Sequence, residues 1–417
     1  MEIKNYHLEK TLWTKNYTLL IIATIMGAAG GIAGDFALSF LVYDETGSTL
    51  ASAFLLCIQI VPNFLIPLTL SPAMDRLPRK PFLVGGDIIN GILYTTAGIY
   101  LLHSPFSYIG YLFFSLLLSS LSSFDSLAFN TIFPQLISDG FAEKGYTVST
   151  MIYPVMKVLM MPVAALLMKV VGVAWILIFQ GVLSILAAFT ENFIHITETV
   201  RPNSHFSFSE WKKDIFDTIT FLKSEKGLSA IYLYMAITNG ISSSFSTILI
   251  AFFRTAAGFT TVMYSFFSAA EFIGRSLGGL LHYHITIPAK KKFSIAFFIY
   301  QFYEFMDMIL LWIPYPAMLV NRGICGFLGI NSAVMRSAAV QKYIPNEYRA
   351  RLSAYETALV ALATAVFSLL IGTLGEILDY KVCLTICGAA ASLALWSTIW
   401  KERKSIRKIY EKADAVK

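Results

Sequence analysis

Residues 17–43 read YTLLIIATIMGAAGGIAGDFALSFLVY, an unbroken run in which Asp35 is the one charged side chain. A helix rises about 1.5 Å per residue, so about 20 residues cross the hydrocarbon of a bilayer, and this run is long enough to do so. About eleven further runs of the kind follow, near 49–72, 82–102, 108–137, 147–171, 173–198, 227–253, 258–282, 293–312, 315–339, 352–376 and 378–400. A segment in lipid has to satisfy its own backbone hydrogen bonds, and the ten-residue alternation of a barrel strand is absent, so the runs are read as helices. Met1 to Asn16 is polar and charged. The first run is therefore too long and too late for a cleaved signal peptide and is taken as the first of about twelve transmembrane helices.

Composition agrees. Of 417 residues, 56% are hydrophobic and 14% are charged, against roughly a quarter charged in an ordinary soluble chain. The net charge of +6 is distributed for membrane orientation and does not mark a nucleic-acid partner. Taking alternate sides of the runs, one side collects roughly 25 of the 32 Lys and Arg, among them Lys4, Lys10, Lys15, Arg76, Arg79, Lys80 and Lys290 to Lys292. The other side has about three, Lys169, Arg254 and Lys381. Both termini are accordingly expected on the cytoplasmic side. The four cysteines, Cys57, Cys325, Cys383 and Cys387, lie inside apolar runs and read as small core residues, with no disulfide framework or zinc site. The six histidines form no metal-ligand spacing, and no phosphate-cradling Gly-rich loop followed by Lys-Ser/Thr occurs, so no cofactor, metal or direct nucleotide drive is expected.

The longest polar stretch, 199–226, divides the chain into an N-terminal six-helix bundle, 1–198, and a C-terminal one, 227–400, followed by a basic tail, 401–417. Within the linker, Trp211, Ile215, Ile219 and Phe221-Leu222 alternate with Lys212, Lys213 and Asp217 in a pattern that fits either a short interfacial amphipathic helix or a solvated connection. The remaining loops leave no room for a soluble domain. An all-α chain of two pseudosymmetric six-helix bundles is the plan of a secondary transporter with its site where the halves meet.

From Gly34 the sequence continues G-D-F-A-L-S-F-L-V-Y-D-E-T-G-S, then a helix with Pro62, then S-P-A-M-D-R-L-P-R-K. These residues resemble the major facilitator superfamily, and within it the bacterial drug:proton antiporters typified by macrolide-efflux proteins. Gly34-Asp35, Ala37-Leu38 and Thr46-Gly47-Ser48 carry the likeness to that branch. The superfamily's cytoplasmic gating signature between helices 2 and 3 is matched at Asp75, Arg76, Arg79 and Lys80, with Ser71 and Pro78 in place of its glycines, and is echoed at Arg349-Ala350-Arg351. The copy between helices 8 and 9, Gly278 to Tyr283, lacks the acidic residue, and helix 5 keeps Pro162 of the exporters' Gly-Pro motif behind Met161. The resemblance implies a multi-pass protein of the bacterial cytoplasmic membrane, acting as a monomer, with helices 1, 4, 7 and 10 lining its cavity.

An ionised side chain at mid-bilayer costs on the order of 3 kcal/mol, so each one calls for a reason. Asp35 lies about twelve residues, roughly 18 Å, from the outer end of helix 1, among Gly27, Gly30, Gly31 and Gly34. It reads as a protonatable or cation-binding carboxylate, or as a hydrogen-bond acceptor between tight helices. Asp125 in helix 4 adjoins a stripe of Ser115, Ser119, Ser122, Ser126 and Asn130, which fits a wet cavity wall or hydroxyls bonded back to their own helix. Helix 7 offers Tyr232, Met235, Asn239, Ser242 and Ser246, and helix 10 offers Arg322, Asn331 and Arg336. Glu271 and Arg275, four apart on helix 8, form a charge pair, whereas Glu304 and Asp307, a turn apart on helix 9, have no local cation. Asp87, Glu191 and Glu356 lie nearer the cytoplasmic ends, where arginines such as Arg79 would pair them.

The function expected from these residues is proton-coupled efflux of small amphipathic or cationic organic molecules by alternating access. The alternatives are a lipid or lysolipid translocator and a non-transporting receptor or scaffold. An intramembrane enzyme would need a nucleophile with its base, or a metal cluster, at membrane depth, and the sequence offers neither.

Overall fold

The computed structural model describes residues 11–74, 80–138, 141–196, 208–284 and 287–412. Among the described residues there are no strands, and the α-helices are α1 (Lys15–Thr46), α2 (Thr49–Met74), α3 (Lys80–His103), α4 (Tyr108–Leu136), α5 (Ala142–Val170), α6 (Val173–Asn192), α7 (Phe208–Ser224), α8 (Lys226–Thr255), α9 (Thr261–His284), α10 (Ala289–Ile309), α11 (Tyr315–Tyr343), α12 (Asn346–Ile377), α13 (Tyr380–Leu395) and α14 (Arg403–Lys412). Every apolar run has its helix: α1 to α6 are the first six, α8 to α13 the last six, and α7 and α14 are the linker and tail. Ten of them are long and apolar enough to cross a membrane, and α2 contributes the shorter apolar segment Thr49–Asn63. Helix α9 has the length, but Glu271 and Arg275 lower its hydropathy.

The turns follow from local chemistry. Gly47 adopts φ 63°, the left-handed conformation that lets α1 stop and α2 begin two residues later. Pro314 and Pro316 bracket the start of α11, where a missing N–H costs nothing. Pro154 and Pro162 lie inside α5, each removing one helical hydrogen bond from an otherwise apolar span.

The chain forms two compact units, one of Met1–Leu38 with Leu65–Ser204, the other of Ser39–Phe64 with His205–Lys417. The C-terminal end of α1 and the first half of α2 thus cluster with the later helices, although the polar linker alone would divide the chain near 199. Polar ties hold them there. Asp44 makes a two-pronged ion pair with Arg254 of α8, at 2.5 and 2.6 Å. Glu376 of α12 accepts from the Leu50 N–H at 3.0 Å and from the hydroxyls of Ser48 and Thr49 at 2.7 and 3.1 Å, placing a carboxylate on the N-terminus of α2. Tyr43 and Tyr380 share a hydrogen bond of 2.9 Å.

In the first unit α3 packs along α6 through small residues: a Cβ on Gly91 would lie 2.8 Å from the Gly181 carbonyl oxygen, and one on Gly181 2.7 Å from that of Gly91. In the second, α9 runs against α11, α8 against α12 and α10 against α13. A Cβ on Gly274 would sit 2.8 Å from the Gly323 carbonyl carbon, and one on Gly326 3.1 Å from the Arg275 backbone nitrogen. Backbone cannot step aside as a side chain can. Gly274→Leu is therefore expected to force α9 and α11 apart and to cost about 1–3 kcal/mol, read as a fall in thermal unfolding temperature, whereas Gly279→Leu, with open space around its Cβ, should leave that temperature unchanged.

Helix α7 occupies the linker. Its Leu222 is buried and Phe221 stacks on Tyr348 at the head of α12, with ring centroids 4.5 Å apart. Trp13, Trp175, Trp312 and Trp396 expose their rings at or beside the ends of apolar helices, the positions where a wet and an apolar edge serve an indole best.

Candidate functional site

Each unit carries a group of charges at membrane depth. In the first, Asp35 stands on α1 with its side chain exposed, and Lys157, midway along α5, is the cation whose charge acts on it. The Lys157 ammonium also lies 5.3 Å from the ring centre of Tyr153. Sequence reading passed over Lys157, although a lysine at the middle of the 147–171 run is as costly there as an aspartate and pointed to a partner.

The hydroxyls of α4 differ in exposure. Ser119 and Ser123 are buried and donate to the carbonyls of Leu116 and Ser119, at 3.2 and 2.8 Å, whereas Ser122 and Ser126 are exposed. Asn130 lies on α4, but its side chain is outside the described residues. Asp125 lies close enough to Asp87 of α3 and Glu191 of α6 for their charges to oppose one another. Glu191 is only 4% exposed, and its Oε2, like Oδ1 of Asp125 and of Asn90, is buried without a hydrogen-bond partner among the described residues. Asp75, Arg76 and Arg79 of the gating signature lie outside the described residues. Lys80 opens α3 and donates to the Asn192 carbonyl at the end of α6, at 2.7 Å, where a cation complements the helix dipole. Arg349 and Arg351 fall on the first turns of α12, their side chains outside the described set.

In the second unit the glycine-mediated approach of α9 to α11 brings Glu271 within 4.0 Å of Arg322. Glu271 accepts from Arg275 at 2.8 and 3.1 Å. Arg322 is ion-paired with Asp307 of α10, both at most 5% exposed, and its guanidinium lies over the Phe267 ring at 5.5 Å. Among the described residues the buried Arg322 Nε has no hydrogen-bond partner. Arg322 thus supplies the cation that helix-by-helix reading left Asp307 without. The α10–α11 hairpin explains why: Asp307 is seven residues before Pro314 and Arg322 eight after it, so two antiparallel helices bring them level. Glu304, a turn before Asp307, accepts from the Tyr234 hydroxyl at 3.2 Å.

Of the other expected cavity residues, Tyr232 is buried, while Asn239 and Ser242 are exposed on α8, Asn239 donating to the Met235 carbonyl at 2.7 Å. Asn331 ties α11 to α9, donating to the Phe327 carbonyl at 2.7 Å and bonded to His282 at 2.9 Å. Among the described residues no group of three His, Cys, Asp or Glu side chains is placed to hold a metal ion.

No protein-family model matches the chain, and no curated protein does. Solved structures do. A POT family transporter in complex with 5-aminolevulinic acid aligns over 95% of this chain and 98% of its own, at TM-score 0.74 and 12% identity. The nucleoside transporter NupG covers 93% and 99%, at 0.71 and 11%. The chain has the major facilitator fold. A bacterial homologue of the human lysosomal transporter Spinster, in an inward-facing unoccupied state, is also similar, at TM-score 0.65 and 13% identity over 96% of this chain and 97% of its own. In major facilitator terms Asp35 belongs to span 1, Asp125 to span 4, Asn239 and Ser242 to span 7, and Asn331 to span 10. The protein is a multi-pass membrane protein.

Proposed function

We propose that this chain is a secondary active transporter that moves amphipathic, preferentially cationic organic compounds out of a bacterial cell across the cytoplasmic membrane in exchange for protons, by alternating access. The observation that carries the reading is the exposed Asp35 at mid-span with Lys157 acting on it across the first unit. A carboxylate at that depth is costly to keep charged, which is what allows it to take a proton from one side and release it to the other. A substrate cation competes for the same carboxylate, so proton and substrate exclude each other. The reading is also supported by the fold, since the similar solved proteins are described as transporters. Asp125, Ser122 and Ser126 of α4 are the further polar contacts of the first unit in this scheme, Asn239 and Ser242 of α8 are the candidate polar groups of the second, and the Asp75 to Lys80 segment and, separately, Arg349 and Arg351 carry the cytoplasmic gating signature.

Reconstituted vesicles loaded with a pH-sensitive dye test it. Adding a lipophilic organic cation such as ethidium to vesicles holding an imposed proton gradient is expected to dissipate the gradient and concentrate the cation, and protein-free vesicles should do neither. Flux of a fluorescent lysolipid without proton movement would favour the lipid translocator, and absence of any flux would favour a receptor or scaffold.

A further inference from the structure

Helix α14 begins three residues after Trp400, where the last apolar span, Tyr380–Trp400, ends, so it lies at the edge of the bilayer. Its apolar side is already used. Ile406, Ile409 and Tyr410 are buried with Leu228, Ile231 and Phe293, joining α14 to α8 and α10. Gly227 permits the approach: a Cβ there would lie 3.0 Å from the Ser405 carbonyl carbon. With that face sealed in protein, α14 has nothing left to insert into lipid, unlike an ordinary interfacial helix.

What it presents outward is charge. Lys404, Arg407 and Lys408, with Lys401 just before the helix, are exposed away from Ile406, and Glu411 is the exposed acid beside them. The Arg407 guanidinium lies over the Phe293 ring at 5.3 Å, which places the head of α10, with exposed Lys290 and Lys291, next to the same face. Arg403 lies over Trp400 at 4.9 Å. One turn back along the last span, Trp396 is exposed, as is Phe298 on α10, so this basic surface adjoins a lipid-facing aromatic edge.

We propose that the basic face of α14, with Lys290 and Lys291, is a binding site for the headgroups of anionic phospholipids. Charge complementarity selects the occupant, and the position against exposed Trp396 selects its source: a phosphate presented from the bilayer plane meets the ammonium and guanidinium groups while its acyl chains lie along Trp396 and Phe298. The proposal needs the chain to be in a membrane but does not depend on its substrate or on proton coupling.

The test is binding of phosphatidylglycerol to the full-length protein in neutral detergent, with phosphatidylcholine and free glycerol phosphate as parallel probes. Each cation at an anionic lipid surface is worth about fivefold in affinity, so Lys404→Gln/Arg407→Gln/Lys408→Gln is expected to weaken phosphatidylglycerol binding roughly a hundredfold at low salt. Circular dichroism checks that this variant is folded. Lys290→Gln/Lys291→Gln, which leaves α14 untouched, should weaken binding roughly twentyfold on the same scale. Phosphatidylcholine binding should not change in either variant. Unaltered phosphatidylglycerol affinity in both variants, or free glycerol phosphate binding as tightly as the lipid, would overturn the proposal.

Discussion

Arg322→Ala is expected to destabilise the protein by about 3–5 kcal/mol, because it leaves the Asp307 carboxylate buried without its cation. The pair is almost wholly removed from solvent, and Glu271 and Glu304 are the nearby acids that would add to the uncompensated charge. Asp307→Asn should cost a comparable amount for the mirror reason, an unpaired guanidinium. The double variant Arg322→Met/Asp307→Leu removes both charges at similar volume and is expected to regain most of the loss, since the attraction within a buried pair roughly offsets the cost of desolvating it. Thermal unfolding of the purified variants by circular dichroism provides the comparison. Equal destabilisation of the single and double variants would mean that packing, not charge pairing, sets the cost. Transport by a stable double variant then separates a structural pair from one whose charges move during the cycle.

Asp35→Asn is expected to abolish accumulation of substrate against a gradient while leaving a folded protein. The amide keeps the shape and the hydrogen-bonding edge but cannot exchange a proton, so downhill exchange can survive where uphill movement cannot. Lys157→Met should have a different signature, because it keeps the carboxylate and removes the cation acting on it, so the dependence of flux on pH should shift and uphill transport should persist. Asp125→Asn removes the second candidate carboxylate of the same unit and is expected to impair uphill transport in the same way. The dye-loaded vesicle assay reads all three. Wild-type uphill rates in Asp35→Asn, Asp125→Asn and their double variant would exclude both aspartates as the coupling group and turn attention to Glu271 or Glu304.

Much of the fold is legible in the sequence because a bilayer admits few solutions: the apolar runs have to be helices, and their number and the polar break near 199–226 set the plan. The division of α1 and α2 was not legible, since it depends on Glu376 and Arg254 reaching residues more than 200 positions away. Charges were visible one by one, and their partners much less so. Glu271 and Arg275 are four apart on one helix, and that spacing alone pairs them. Asp307 and Arg322 needed the hairpin to be folded first. Lys157 is legible only by its depth: at the middle of the 147–171 run even a long, flexible cation is far from either interface and needs a partner. Which seryl hydroxyls of α4 are buried and bond their own backbone depends on how α4 is rotated, a quantity its weak apolar periodicity does not fix.

The tryptophans at the helix ends affect how any of these variants is measured. With Trp13, Trp175, Trp312 and Trp396 already exposing their indoles at the edges of the apolar spans, their environment in detergent or lipid changes little when the interior of a unit loosens. Emission from these four rings is therefore a poor monitor of core unfolding in this protein and a good monitor of its immersion. Brominated lipids carrying the quencher at successive acyl positions should dim these rings most when the bromine lies close to the headgroups, marking the two edges of the spanning region without any introduced label.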